Sequence, residues 1–349
     1  QDSLDYVSPG DTIIINPGNY FEDIVTKVDG TESARITIKG SEDETNRGNV
    51  VLRGTGDRSY IFEVKHDYYT IENFSIDGAL ESEPQQGADD DDYEDLFRNK
   101  LIYAYANREA TTRDGGYRSA LDGLVITNMV IKNAGGECIR LRYFVTKAEI
   151  YDNEILNCGI YDFFYDRGGK NGEGIYVGTS SNQWYKNYND DPDITLDTHI
   201  YDNIIETNGN EGVNVKEGCI GTIIENNKIY MQKDENSGGV DSRGDKSIIR
   251  YNLIEDADGA GVRLGGHYKD GYQYGVDNEV YENEIRDCRR FGVKIMEYPQ
   301  KKICGNTIVL PNGADEDEYE FTGGDYGADY DAREACGDGP SPVPEPTPA

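Results

Sequence analysis

The chain has 349 residues, enough for one elongated domain or two compact ones. Its 67 acidic residues stand against 34 basic ones, and the formal net charge of -33 repels nucleic acid and anionic membranes; it also repels acidic polymers unless positive charge is concentrated in one place. No run of about 18 apolar residues exists, so the sequence offers no membrane-spanning helix.

In chain order, Pro9-Gly10-Asp11 gives a turn and Thr12-Ile13-Ile14-Ile15 a strand. Ile36-Thr37-Ile38 and Val50-Val51-Leu52 read as further strands. Ile71-Glu72-Asn73-Phe74 and Ile126-Thr127-Asn128-Met129 each carry an Asn turn, and Asn73-Phe74-Ser75 is a glycosylation sequon. Residues 81–95 form an acidic excursion. Its Asp89–Asp92 run is read as a solvated loop in preference to a calcium site.

Internal repeats dominate from residue 150 onward. Asn-x-Ile recurs at Asn153, Asn203, Asn227, Asn252, Asn283 and Asn306. Between these fall Gly174-Ile175, Gly212-Val213, Gly239-Val240, Gly261-Val262 and Gly292-Val293, with intervals of 38, 27, 22 and 31 between the apolar residues. Periods of that size in β-rich sequence signal a solenoid. The uneven spacing selects the kind: helical repeats keep a fixed period, whereas a β-helix fixes only its short strands and lets its turns vary. The prediction is an all-β, right-handed parallel β-helix over residues 1–336. Its strands pair about 4.8 Å apart, and an Asn at each bend bonds the Asn of the next coil.

Six cysteines (Cys138, Cys158, Cys219, Cys288, Cys304 and Cys336) with no C-x-x-C motif read as disulfides, not a zinc site. The span from Cys304 to Cys336 is expected to be a C-terminal cap closed by those two residues, protecting the last edge. The pairing of Cys138 and Cys219 does not follow from spacing. Residues 337–349, ending PSPVPEPTPA, read as a Pro-rich tail or linker. The start at Gln1, running at once into structured-looking sequence, suggests a processed N-terminus, and with the cysteines it predicts a secreted or cell-surface protein.

Aligning the coils on the residue after Gly, with Ile139 as the first member, places Arg140, Tyr176, Asn214, Asp241, Arg263 and Lys294 at one outward position. The next outward position reads Arg142, Gly178, Lys216, Arg243, Gly265 and Met296. Glu137, Glu173 and Glu211 stand two residues before the alignment point, and His267 and Lys269 lie just beyond one strand. One face thus concentrates basic residues in an acidic chain. A bland reading is a solvated face laced by cross-coil salt bridges. A sharper one is a groove for an acidic polysaccharide, with Tyr176, and Tyr161 or Tyr165 if exposed, stacking on sugar rings.

β-Elimination at a uronic acid needs the substrate carboxylate neutralised and the proton on C5, alpha to that carboxylate, removed. Lys216 is the first candidate for the base, its pKa expected to be lowered by neighbouring cations and burial. Arg243 and Arg263 are candidates for the substrate carboxylate. Arg140, Arg142, Tyr176, His267 and Lys294 are candidates for further substrate contacts, although His267 beside Gly265-Gly266 also reads as a turn residue. Glu173, Glu211 and Asp241 are candidate ligands for Ca2+, the cofactor such chemistry suggests. The same constellation would serve C5 epimerisation, in which the proton returns from the other face.

The run Gly172-Glu173-Gly174-Ile175-Tyr176-Val177-Gly178, followed by Glu211-Gly212-Val213-Asn214-Val215-Lys216-Glu217-Gly218, resembles secreted right-handed β-helix proteins of the pectate-lyase-like superfamily. So do the opening Pro9-Gly10-Asp11-Thr12-Ile13 and Pro17-Gly18-Asn19-Tyr20, and the resemblance covers most of residues 5–310. Within that group, polysaccharide lyases of families 6 and 9 are the most similar. The resemblance implies a Lys base at Lys216 with calcium held by acidic residues. Arg243, before Arg263, stands where the family 6 pattern has Lys, and no Asp cluster like the family 9 calcium site accompanies Lys216. Paired Asp motifs of galacturonan hydrolases are not evident. The superfamily also holds non-enzymatic members. A non-catalytic wall, filament or adhesion protein, with self-assembly or a further module after the tail, and a carbohydrate-binding module therefore stand as alternatives to a uronate-polymer lyase or epimerase.

Overall fold

The computed structural model describes residues 1–41, 44–55, 59–79, 96–113, 116–163, 171–313 and 319–337. The acidic excursion with Asp89–Asp92, Tyr165 and the Pro-rich tail lie outside these residues. Three parallel sheets of 10 strands each carry the chain round and round one core, as a parallel β-helix. The first runs from Thr12–Ile15 to Lys302–Cys304, the second from Gly18–Tyr20 to Thr307–Val309 and the third from Ile24–Val25 to Glu320–Gly323. Each coil contributes one strand to each sheet. Among the described residues no helix is long and apolar enough to cross a membrane.

In the first and second sheets most strands are three residues long with a buried centre, so one side chain per strand, usually Ile, points inward. In the first sheet Ile71, Ile126, Ile150, Ile200, Ile224 and Ile249 stand in register; in the second, Ile131, Ile155, Ile205, Ile229, Ile254 and Ile285 do. All are at most 1 % exposed. Branched side chains suit the pleated surface, and each contributes about 1.5–3 kcal/mol by leaving water.

The predicted Asn stack forms at the corner between the first and second sheets. Asn153 donates from Nδ2 to Asn203 Oδ1 at 2.9 Å, Asn203 to Asn227 at 2.9 Å, Asn227 to Asn252 at 3.1 Å, Asn252 to Asn283 at 2.9 Å and Asn283 to Asn306 at 2.9 Å. Asn73 and Asn128 do not belong to this column. They sit one position earlier, at positive φ of 62° and 51°, and the interior positions of their coils are filled by Phe74 and Met129.

Cys304 and Cys336 are joined, as expected for the cap, and the segment before Cys336 folds over the last coil: Asn306 N donates to Ala332 O at 2.9 Å. Cys138 pairs with Cys158. The expectation that all six cysteines serve disulfides is corrected, since Cys219 and Cys288 are buried thiols held in the core.

Candidate active-site groove

Register on the third sheet places the sequence-aligned residues side by side. Arg140 pairs with Tyr176, Tyr176 with Asn214, Asn214 with Asp241, Asp241 with Arg263 and Arg263 with Lys294. Their strands are Ile139–Leu141, Ile175–Val177, Val213–Val215, Gly238–Ser242, Ala260–Leu264 and Phe291–Ile295. Tyr103, on Lys100–Ala104, extends the column before Arg140. Lys216, Arg243 and Gly178 stand where these strands end. Gly178 has φ 87°, and a Cβ there would stand 2.3 Å from Cys219 Sγ and 3.6 Å from Lys216 Cβ, so only glycine leaves the space beside Lys216 open.

Charged groups are paired along this face. Lys216 Nζ lies 3.6 Å from Glu173 Oε1 and 4.5 Å from the centre of the Tyr176 ring, whose surroundings also hold the Arg140 guanidinium at 4.1 Å. Asn214 Nδ2 donates to Glu173 Oε1 at 3.2 Å. Glu137 sits between Lys100, at 3.1 Å, and Arg140. Arg243 Nη1 is 2.7 Å from Glu217 Oε1, and Arg263 Nη1 donates to Asp241 Oδ2 at 2.7 Å. The Ser237 hydroxyl donates to Glu211 and, at 3.1 Å, to Asp241 Oδ2. Lys216, Glu173, Tyr176 and Asn214 form a buried floor, while Arg243 and Arg263 are its accessible rim, their side chains 24 % and 22 % exposed.

Burial shapes the protonation of this floor. It pushes the Glu173 carboxyl up to about 8, against the pull of Lys216 and with the help of Glu211 and Glu137. Burial raises Glu211 and the Tyr176 phenol as well. For Lys216 burial and Arg243 disfavour the charge, but Tyr176, Glu173 and Glu211 outweigh them and its pKa is raised. The expectation of a lowered lysine is therefore corrected, because its neighbours are more anionic than cationic. Burial opposes ionisation of Glu137 too, yet Arg140 and Lys100 hold it down at about 2.

A wall of loops rises along the ends of the same strands. Arg142 turns into it and does not join the floor: its guanidinium contacts Asn187 Oδ1 at 3.4 Å and Gln183 O at 3.5 Å, and lies 5.3 Å from the Tyr105 ring. Arg140 Nη2 reaches Gln183 Oε1 at 3.3 Å. Glu217 accepts from Ser181 N at 3.1 Å, tying the wall to Arg243. Trp184, 6.0 Å from Tyr274 edge-on, joins this loop to the hairpin of His267–Lys269 and Tyr272–Tyr274.

The structure thus brings together Arg140, Tyr176, Lys216, Glu173, Glu211, Asp241, Arg243 and Arg263. It sets His267 on the hairpin, and Lys294 over the Phe291 ring at 5.0 Å. Tyr161 is 2 % exposed and donates to Phe97 O, so it packs and does not face a sugar. Sequence reasoning missed Lys100, Glu217 and the Trp184 loop; Lys100 was legible, since Lys100-Leu101-Ile102-Tyr103 repeats the alternation of the later strands. Among the described residues no three His, Cys, Asp or Glu side chains are grouped as a metal ion requires. One oxygen of each of Glu173, Glu211 and Asp241, the residues expected to hold calcium, is engaged by Lys216, Ser237 and Arg263 respectively, and the other oxygen of each is buried without a hydrogen-bond partner among the described residues.

No known family profile matches the chain, and no curated protein does. Solved structures do. An alginate lyase from Paenibacillus sp. str. FPU-7 superposes with a TM-score of 0.69 at 20 % identity, over 92 % of this chain and 94 % of that one. A mannuronic acid specific polysaccharide family 6 lyase from human gut microbiota gives 0.51 at 18 % identity, over 89 % and 72 %. ORF18 of Geobacillus virus E2 gives 0.52 at 12 % identity, over 89 % and 52 %. At these identities the likeness establishes the shared fold, the parallel β-helix, and no more.

Proposed function

We propose that the protein is a polysaccharide lyase acting by β-elimination on a uronic-acid polymer, with C5 epimerisation as the related outcome of the same proton abstraction. The observation that carries this reading is the buried Lys216 ammonium between the Tyr176 ring and Glu173, beneath an arginine rim. Arg243 and Arg263, with Arg140 nearby, hold the substrate carboxylate and stabilise the charge that develops when C5 loses its proton. Lys216 acts in its amine form, reached when the ammonium gives its proton to solvent; because Tyr176, Glu173 and Glu211 raise its pKa, that form grows as pH rises. Lys216 then removes the C5 proton. The C5–H electrons form the C4–C5 double bond, the C4–O bond breaks, and the leaving oxygen takes a proton from the nearby Tyr176 phenol. With Glu173 protonated, the charge of the resting Lys216 ammonium is not cancelled, which draws an anionic ligand before the amine form removes the proton, despite the chain's net charge of -33. Two of the similar structures are named as lyases of alginate or mannuronic acid, which supports an acidic polysaccharide as substrate.

The test is a panel of uronate polymers followed by the ultraviolet absorbance of unsaturated products. Absorbance rising with wild type and absent with Lys216→Ala supports the assignment. No rise on any polymer, with no exchange of the C5 proton, defeats both lyase and epimerase. Binding without either reaction would leave a carbohydrate-binding protein, and no binding at all would favour a structural one.

A further inference from the structure

Beyond the strand Ala260–Leu264 the chain passes Gly265-Gly266 and rises into an antiparallel hairpin in which His267 faces Tyr274, Tyr268 faces Gln273 and Lys269 faces Tyr272. Alternation puts His267, Lys269, Tyr272 and Tyr274 on one face and Tyr268 and Gln273 on the other. Gln273 Nε2 donates to Tyr298 O at 3.0 Å and to Glu297, which ties that residue to the following coil, while Tyr268 on the same face is 72 % exposed. The opposite face looks back over the groove, since Tyr274 meets Trp184 at 6.0 Å and Tyr272 lies 6.4 Å from Tyr274.

The hairpin is held without Tyr272. Gly275 N and Val276 N donate to Asp245 Oδ1 at 2.8 and 3.0 Å, and Gln300 Nε2 donates to Gly275 O at 2.7 Å. Tyr272 itself is 68 % exposed. Its cross-strand neighbour Lys269 forms no ion pair among the described residues, unlike Lys216, Arg243 and Arg263 on the floor. In a chain with 67 acidic side chains, a lysine left without a carboxylate beside an exposed ring matches a sugar acid: the apolar face of the pyranose lies on the phenol and the carboxylate meets the ammonium.

We infer that Tyr272 and Lys269 form a distal subsite for one uronate residue of the polymer, two coils or about 10 Å from Lys216 along the groove. The inference rests on the uronate-polymer reading of the floor and names residues that set the preferred chain length. The experiment compares wild type, Tyr272→Ala, Tyr272→Phe and Lys269→Gln on trimers and octamers of mannuronate, guluronate and galacturonate. On the octamer that wild type accepts, Tyr272→Ala raises KM about tenfold with kcat unchanged, and Tyr272→Phe restores it. Lys269→Gln weakens octamer binding and reduces its dependence on salt. On the trimer all four proteins are alike. An unchanged octamer KM in Tyr272→Ala, or equal losses on trimer and octamer, overturns the subsite while leaving elimination intact. Where wild type turns over none of the oligomers, calorimetric binding of the octamers is the readout. Failure of elimination is then separate from the subsite, which falls if Tyr272→Ala binds as tightly as wild type or if wild type binds none.

Discussion

Two buried polar columns run along the coil axis, and they are completed differently. At the corner of the first and second sheets, Asn227 Nδ2 donates to Asn252 Oδ1, Ile200 O and Glu225 O, and its Oδ1 accepts from both the backbone and the amide of Asn203. On the third sheet, Glu173 Oε2, Asn214 Oδ1, Glu211 Oε2 and Asp241 Oδ1 are as deeply buried and have no hydrogen-bond partner among the described residues. Burial penalises an orphaned polar atom by about 1–3 kcal/mol. The first column is therefore what a coil does to be stable. The second is held against stability, which is where a functional site departs from the pattern that builds the fold.

The sharpest way to break this contrast is Lys216→Ala. Elimination is expected to fall by about 10³-fold or more, while the melting temperature stays near that of wild type, because Glu173 without its lysine simply keeps its proton. A variant that unfolds would place Lys216 in the structural class. Asn227→Ala should do the reverse. It leaves the Asn203 amide and backbone donors without their acceptor, and a loss of about 3 kcal/mol is expected in urea unfolding, with kcat of the folded enzyme unchanged. A loss within 0.5 kcal/mol, the range of an ordinary surface substitution, would mean that the ladder does not carry the corner.

The fold was legible because the coil repeats its own signals. Asn-x-Ile and Gly followed by Ile or Val recur through the later coils, and the register of Ile175, Val213, Val240, Val262 and Val293 is the one their alignment predicts. Asn73 and Asn128 misled because an Asn at a positive-φ bend and an Asn inside the ladder look alike in sequence; only the neighbouring Phe74 and Met129, which fill the interior position, distinguish them. The site was half legible. Its columns follow from period-two alternation, but the wall does not repeat, so nothing in the sequence announced that Arg142 would turn to Asn187 or that Trp184 would meet Tyr274. Nor does sequence tell that Glu173 and Glu211 close on Lys216 from two coils and reverse the shift expected of its pKa.

Glu173→Gln sharpens the contrast through pH. Glu173 keeps its proton up to about 8 in the folded chain, where an ordinary glutamate loses it near 4.5. The folded state thus binds the extra proton between those limits. Its contribution to stability is complete below the lower value and lost as pH rises through the upper one. Thermal melts from pH 4 to 9 should fall with pH in wild type and flatten in Glu173→Gln, and parallel curves for the two proteins would show that this carboxyl is ordinary.

Chelation is the mildest perturbation, and its outcome depends on which groups complete the open column. Calcium takes six to eight oxygen ligands. Here Glu173 faces Lys216, Asp241 faces Arg263, and Glu211 takes the Ser237 hydroxyl, so the carboxylates already meet protein partners. Excess EDTA should therefore change the elimination rate less than about twofold, because arginine supplies the charge that the substrate carboxylate needs. Activity lost to EDTA and restored by calcium alone would show that the orphaned oxygens of Glu173, Glu211 and Asp241 converge on an ion when substrate is bound, and that the two columns differ by a metal and not by a proton.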